Sequence, residues 1–300
     1  MRIARGIALV LALIAGIAAP AAAQPDPWAK AARNPGLVQT ISPKLNEEAW
    51  FVPGAGDAIL KARVFRPAGP GPFKVAIVNH GSPASAASRP KMRVPAYRAA
   101  AEWLVERGYM VVLPLRRGYG EPEGSPWPEK YGTCDNANYT AAGKAAADDI
   151  EAVVRYVGTL PTARKNRVLL IGHSAGGFGV VALAKRNLDG VIGVINFAGG
   201  RGAHQGPSGR DNCAPDRLVE AMRGFGAGVR TPSLWLYAEN DSYIGPVLSQ
   251  RMAEAYRSGG GNVDYRLLPA FKNEGHDMFG SADGRTLWTG PVEEFLKKLE

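Results

Sequence analysis

The chain has 300 residues, 46% of them apolar, enough for one large α/β domain or two small ones with a sizeable core. The formal net charge is +9, but lysines and arginines are spread along the chain and no nucleic-acid-binding motif is present, so we expect a basic solvated surface and no nucleic-acid partner. The two cysteines lie in neither a C-x-x-C nor a histidine-rich context, so we predict no metal site and no cofactor.

The first 23 residues have the pattern of a secretory signal peptide. Residues 1–5 are short and basic, residues 6–19 are apolar but too short to span a bilayer comfortably, and residues 20–23 offer small side chains for cleavage. No later apolar run approaches the length of a transmembrane helix. We therefore predict a mature chain of residues 24–300 that is exported to the periplasm or the extracellular space, without stable membrane insertion.

The mature chain alternates between predicted strands and helices. Residues 24–44 are expected to form an extended surface arm, and Trp50–Val52 with Ile59–Phe65 a β-hairpin. The further predicted strands are Phe73–Asn79, Tyr109–Leu113, Val168–Ile171, Gly190–Phe197, Ser233–Tyr237 and Asp264–Leu268. The predicted helices are Val94–Arg107, Ala141–Leu160, Phe178–Arg186, Pro215–Arg223, Gly245–Ser258 and Thr286–Leu299. This alternation predicts a single α/β domain whose mostly parallel sheet has helices on both faces.

A Gly-x-Ser-x-Gly pattern at Gly172–Gly176 separates an apolar strand from a helix rich in small residues. In a nucleophile elbow the serine is held in a strained turn, and its neighbours two positions away must be small because strand and helix pass closely. The helix N-terminus adds partial positive charge where an oxyanion would develop. We therefore predict Ser174 as a nucleophile; an ordinary glycine-rich turn is the alternative.

A serine hydroxyl needs a base within hydrogen-bond reach, and that base needs an acid to orient it. His276 is the only histidine that follows a plausible acid, and Asp241 follows a predicted strand, so both are predicted members of a catalytic triad. Asp277 and Asp264 remain alternatives for the acid. His173, inside the elbow, is expected to point away from the site.

The predicted oxyanion donors are the amides of Ala175 and Ser82. Ala175 follows the nucleophile, and Ser82 lies in a His-Gly turn after a buried strand, where this architecture places its second donor. His80 in that turn is a possible substrate contact, although a structural histidine that bonds the loop backbone is favoured.

Two irregular stretches, at about 116–139 and 198–230, are predicted as insertions at the rim of the active site. Each contains one cysteine, and in an oxidising compartment Cys134 and Cys213 are expected to form a disulfide that makes the rim rigid around a pre-formed, partly open cleft. Tyr119 and Tyr243 are possible substrate contacts. Three arginines are candidates to bind a substrate carboxylate, with a solvated surface as the favoured alternative: Arg116, Arg201 and Arg210.

The whole mature chain resembles secreted α/β-hydrolases of the dienelactone hydrolase-like group, which are related to prolyl oligopeptidase-type hydrolases. The segments that carry the resemblance are Asn79–Gly81, Arg117–Gly120, Gly172–Gly177, Tyr237–Asp241 and Gly275–His276. The resemblance implies the α/β-hydrolase fold and the Ser…Asp…His order of its triad. Dienelactone hydrolase itself has a cysteine nucleophile, whereas this chain has Ser174, so that activity does not follow.

The predicted function is a serine esterase that cleaves a small-molecule carboxylic ester through an acyl-enzyme. A prolyl oligopeptidase-type peptidase is the first alternative, although such enzymes usually carry a large N-terminal propeller and residues 24–52 are too short for one. The second alternative is a non-catalytic binding module on the same fold, which would have no need of Ser174, Asp241 and His276 together.

Overall fold

The computed structural model describes residues 26–29, 31–83, 85–206 and 211–300. The strands are β1 (Gly36–Ser42), β2 (Glu47–Pro53), β3 (Ile59–Phe65), β4 (Phe73–Asn79), β5 (Tyr109–Pro114), β6 (Ala163–His173), β7 (Val191–Phe197), β8 (Ser233–Ala238) and β9 (Val263–Leu268). The α-helices are α1 (Arg98–Val105), α2 (Tyr139–Val157), α3 (Ala175–Ala184), α4 (Pro215–Gly226), α5 (Pro246–Ser258) and α6 (Arg285–Lys297). The predicted signal peptide, residues 1–23, lies outside the described residues.

The described strands form one sheet in the order β1-β2-β3-β5-β4-β6-β7-β8-β9. The pairs from β1 to β3 and the β3–β5 pair are antiparallel, and every pair from β5 to β9 is parallel. The predicted hairpin and the mostly parallel α/β sheet are therefore confirmed. In such a sheet the carboxyl ends of the parallel strands meet at one edge, where binding sites collect.

Alternate side chains of the central strands face two separate apolar layers. Val168 and Leu170 of β6 pack with the layer that contains residues of α2, α3, α4 and α5, whereas Leu169 and Ile171 pack with the layer that contains residues of α1 and α6. Because both faces are covered, the strands are continuous apolar runs and do not alternate between apolar and polar residues.

Two expectations about the N-terminal half are wrong. Part of the predicted surface arm forms β1, because the edge of β2 supplies hydrogen-bond partners that no local pattern reveals. The helix predicted from Val94 begins only at Arg98: Pro95 precedes it, and Tyr97 has a left-handed φ of 39°, which interrupts helical geometry.

The predicted rim insertions leave the carboxyl edge of the sheet. Residues 116–139 are mostly irregular, with a short 3-10 helix at Cys134–Asn136, and residues 198–230 contain α4. Among the described residues, no helix combines the length and the apolarity needed to cross a membrane.

Candidate active site

The predicted nucleophile lies on a sharp turn between β6 and α3. Ser174 has φ 54° and ψ −120°, a conformation that L-residues rarely adopt and that costs on the order of 1–3 kcal/mol. Its N–H donates to the Phe197 carbonyl at 2.9 Å, which ties the turn to β7. A Cβ at Gly172 would lie 2.2 Å from the Gly176 carbonyl oxygen, so the requirement for small residues on both sides of the serine is confirmed.

The predicted acid and base meet where β8 and β9 end side by side. Nδ1 of His276 lies 3.1 Å from both carboxylate oxygens of Asp241. Oδ1 of Asp241 also accepts the N–H groups of Tyr243 and Ile244, at 2.8 and 2.9 Å. These bonds fix a buried carboxylate against the imidazole. The alternative acids do not take this place, since Asp264 pairs with Arg266 and Asp277 is exposed.

Glu274 joins the two loops that carry this pair, although no local sequence pattern pointed to it. Its Oε1 accepts the N–H of His276 at 2.9 Å and that of Ser242 at 3.1 Å, and its Oε2 accepts the Ser242 hydroxyl. Burial raises the pKa of Glu274, but the hydrogen bonds from Ser242 and His276 outweigh burial and lower it. The carboxylate therefore stays ionised and holds the His276 backbone.

A cavity of about 260 Å³ opens onto the elbow. It brings together five of the predicted site residues: Ser82, Ser174, Ala175, Tyr243 and His276. Tyr243 stacks on the imidazole of His276, with 4.4 Å between ring centroids. The structure thus places the predicted nucleophile, the base, both oxyanion donors and one predicted contact at one cavity, with the acid behind the base.

His80 and Tyr119, the other predicted contacts, do not line this cavity. Each is only 1% exposed. Nε2 of His80 accepts the N–H of Arg116 at 3.1 Å, and Nδ1 donates to the Gly81 carbonyl at 2.7 Å. Burial and the Arg116 charge keep the pKa of His80 well below its ordinary value. His80 is therefore a neutral residue that fixes the turn of the predicted oxyanion donor, the structural role favoured from the sequence.

A buried ionic cluster supports the same turn. Arg116 and Arg201 both bond the carboxylate of Glu129, and all three residues are at most 5% exposed. The Tyr119 hydroxyl donates to Glu129 at 2.9 Å and lies 3.2 Å from Oγ of Ser82. Burial raises the pKa of Glu129, but Arg116 and Arg201 outweigh it and lower the pKa to about 2. Glu129 had no sequence signal, because Arg116 and Tyr119 meet it within an irregular loop that follows no spacing rule, and Arg201 comes from a different loop.

The cavity wall carries an excess of positive charge. Arg89, Lys130 and Arg201 line it, whereas none of the described residues that line it is a carboxylate. Nε of Arg201 is buried and has no hydrogen-bond partner among the described residues. Of the three arginines singled out in the sequence, Arg201 thus lines the cavity, Arg116 is buried, and Arg210 lies outside the described residues.

The predicted disulfide is confirmed: Cys134 is bonded to Cys213, 79 residues away. It joins the loop after β5 to the segment before α4. Cys213 N–H donates to the carbonyl of Gly202, a residue of the cavity wall, at 2.8 Å. The disulfide is therefore hydrogen-bonded, through Cys213, to the wall of the cavity.

We expect the double variant Cys134→Ser, Cys213→Ser to lower the free energy of unfolding by up to about 4 kcal/mol, because it frees a long loop in the unfolded chain. Urea denaturation of the oxidised wild type and the variant measures the difference. Wild type under reducing conditions is the matched control and should approach the variant. Equal stability of all three would contradict a structural role for the crosslink.

The sheet order and the strand–turn–helix at Ser174 define an α/β hydrolase. Residues 61–285 match the dienelactone hydrolase family, and the chain belongs to that family. No curated protein is significantly similar to the chain in sequence.

Solved structures share the fold at low sequence identity. An esterase from Pyrococcus furiosus is 15% identical with a TM-score of 0.57, over 88% of this chain and 96% of its own. Est1E from Butyrivibrio proteoclasticus is 16% identical with a TM-score of 0.53, over 84% and 98%. Dipeptidyl peptidase 4 from Porphyromonas gingivalis is 15% identical with a TM-score of 0.55, over 84% of this chain but only 35% of its own. The fold is therefore shared by esterases and by one part of a larger peptidase.

Proposed function

We propose that this protein is a serine hydrolase that cleaves carboxylic esters through an acyl-enzyme. The observation that carries the proposal is the Asp241–His276 pair at the same cavity as a serine in strained elbow geometry. A strained serine turn has a cost that an ordinary strand–helix connection avoids. The non-catalytic alternative gives no reason for this cost or for the acid–base pair beside it.

In this proposal His276 accepts the proton of Ser174 as the hydroxyl oxygen attacks the ester carbonyl, and Asp241 holds the imidazole and stabilises its cationic form. The amides of Ala175 and Ser82 bind the oxyanion, each contributing on the order of 3 kcal/mol. The alcohol leaves with the proton of His276. Water, deprotonated by the same imidazole, then releases the acid and regenerates Ser174.

The charge of the cavity supports a substrate with a negative group near the reacting ester. Three basic residues, Arg89, Lys130 and Arg201, line the cavity, and Glu129 holds Arg201 in place. A substrate carboxylate in the cavity would offset part of this positive charge. Export through the predicted signal peptide belongs to the same proposal, and the Cys134–Cys213 disulfide supports it because such bonds persist in oxidising compartments.

The test compares p-nitrophenyl esters of C2 to C12 acids with matched p-nitroanilides. We expect the esters to be cleaved and the anilides to be much poorer substrates. Between p-nitrophenyl hydrogen succinate and its neutral methyl ester, the anion should have a kcat/KM about tenfold higher at low salt. Lys130→Gln, at the exposed edge of the cavity, should reduce that preference.

Faster cleavage of anilides would favour the peptidase alternative. A folded wild type with neither turnover nor labelling by a fluorophosphonate would contradict the proposal and favour a binding module. Faster cleavage of the neutral methyl ester than of the anionic succinate would refute only the preference for an anionic substrate, not the esterase proposal.

A further inference from the structure

The histidine inside the elbow contacts the loop that carries the predicted base. Nε2 of His173 lies 2.8 Å from the carbonyl oxygen of His276. A carbonyl oxygen only accepts, so Nε2 must carry the proton. In a neutral ring Nδ1 is then a bare acceptor. The hydrogen-bond partner alone thus assigns the tautomer of His173.

Tyr97 supplies the donor that this tautomer requires. Its hydroxyl oxygen lies 3.2 Å from Nδ1 of His173, so the hydroxyl must donate to the ring. The same oxygen lies 3.4 Å from the amide nitrogen of Gly81 and accepts its N–H. Tyr97 adopts its left-handed φ of 39° just before α1, a conformation rare for a tyrosine.

These contacts form one directed chain of hydrogen bonds, from the Gly81 amide through Tyr97 and His173 to the His276 carbonyl. It begins beside Ser82, the predicted oxyanion donor, and ends at the predicted base. A Cβ on Gly81 would lie 3.3 Å from Nδ1 of His173 and 3.0 Å from Cβ of Ser174. The turn of the predicted oxyanion donor, His173 and Ser174 are therefore closely packed.

The chain completes the support of His276. Glu274 holds its N–H, Asp241 holds its Nδ1, and His173 holds its carbonyl oxygen. Neither Tyr97 nor His173 lines the cavity of the elbow, so neither is positioned to touch substrate there.

We propose that His173 and Tyr97 are positioning residues that fix the catalytic base and the oxyanion turn relative to each other. The proposal rests on the proposed function, because it assigns His276 and Ser82 their catalytic roles. Burial and the neighbouring His276 lower the pKa of His173 to about 3, in agreement with a permanently neutral ring.

The first test compares His173→Gln with His173→Met. Glutamine can present an N–H near the position of Nε2, whereas methionine has similar length and no donor. We expect the methionine variant to lose about 100-fold in kcat with little change in KM, since small misplacements of reacting groups have effects of this size. The glutamine variant should recover most of the loss. Tyr97→Phe should lower kcat about tenfold, and Tyr156→Phe on α2 is the matched control, with no change expected.

The second test needs no activity. The chain has four histidines, so ¹⁵N-histidine labelling gives a small set of ring signals that single variants assign. At neutral pH we expect His173 with Nε2 protonated and Nδ1 bare, and Tyr97→Phe should shift its Nδ1 signal. In a uniformly ¹⁵N-labelled sample, Tyr97→Phe should also shift the amide signal of Gly81.

Protonation of His173 at Nδ1, or equal losses in the glutamine and methionine variants, would overturn the proposal. So would losses that appear in KM alone. An inactive wild type would contradict the proposed function instead. The NMR measurement would then test the hydrogen-bond chain from Gly81 through Tyr97 and His173 by itself.

Discussion

Ser174→Ala is expected to lower kcat/KM for p-nitrophenyl esters at least about a thousandfold, because no acyl-enzyme can form without the hydroxyl. Residual hydrolysis would come from the oxyanion donors and substrate binding alone. Labelling by a fluorophosphonate should disappear as well. Because Ser174 is only partly buried at the elbow, the alanine variant should fold like the wild type.

Ser88→Ala is the matched control, since Ser88 is an exposed serine that does not line the cavity. It should retain activity and labelling. Asp241→Asn should reduce kcat on the order of 10⁴-fold, because an amide at this position favours the wrong tautomer of His276. Activity that survives in Ser174→Ala would show that another group attacks the ester and would refute the proposed mechanism.

Glu129→Gln is expected to lower the free energy of unfolding by about 3–5 kcal/mol, the usual cost of leaving buried charges without their partner. Arg116 and Arg201 would both lose their carboxylate in the interior. Thermal or urea denaturation measures the loss. Glu220→Gln, which removes an exposed i,i+3 pair with Arg223, is the control and should change stability by less than about 1 kcal/mol.

The pH dependence of stability gives the same carboxylate a second readout. The pKa of Glu129 is lowered from 4.5 to about 2 in the folded state, so its contribution is complete above about pH 4.5 and is lost as the pH falls towards 2. The wild type should therefore lose more stability over this interval than Glu129→Gln does. Parallel curves for the two proteins would contradict the ionised cluster.

The elbow of the proposed nucleophile could be predicted from the sequence because it is a local structure. The strand, the turn and the helix adjoin in the chain, and the glycines at 172 and 176 follow from contacts across a single turn. The proposed base was chosen for a different reason: His276 is the only histidine after a plausible acid. The choice among Asp241, Asp264 and Asp277 depended on the neighbouring positions of β8 and β9.

The residues that support the site had no such signal. Glu129 meets Arg201 across 72 residues, and His173 meets His276 across 103. Arg116 illustrates the difficulty: it was a candidate to bind a substrate carboxylate, with a solvated surface position favoured, yet it is buried against Glu129. In the sequence alone, a buried ion pair and a substrate-binding arginine have the same appearance.

The sequence by itself determined the α/β class and the succession of strands and helices along the chain, since these depend on hydrophobic periodicity. It also determined the elbow at Ser174, through local turn chemistry, and the cysteine pair, because the chain has only two cysteines. Only the tertiary structure decided that residues 36–42 join the sheet, that Arg201 and not Arg116 faces the cavity, and that His173 holds the loop of His276. These outcomes depend on hydrogen bonds and charges between distant segments. The free energy of such a contact depends on how deeply it is buried and on which distant residue pairs with it. Neither is encoded in a local sequence pattern.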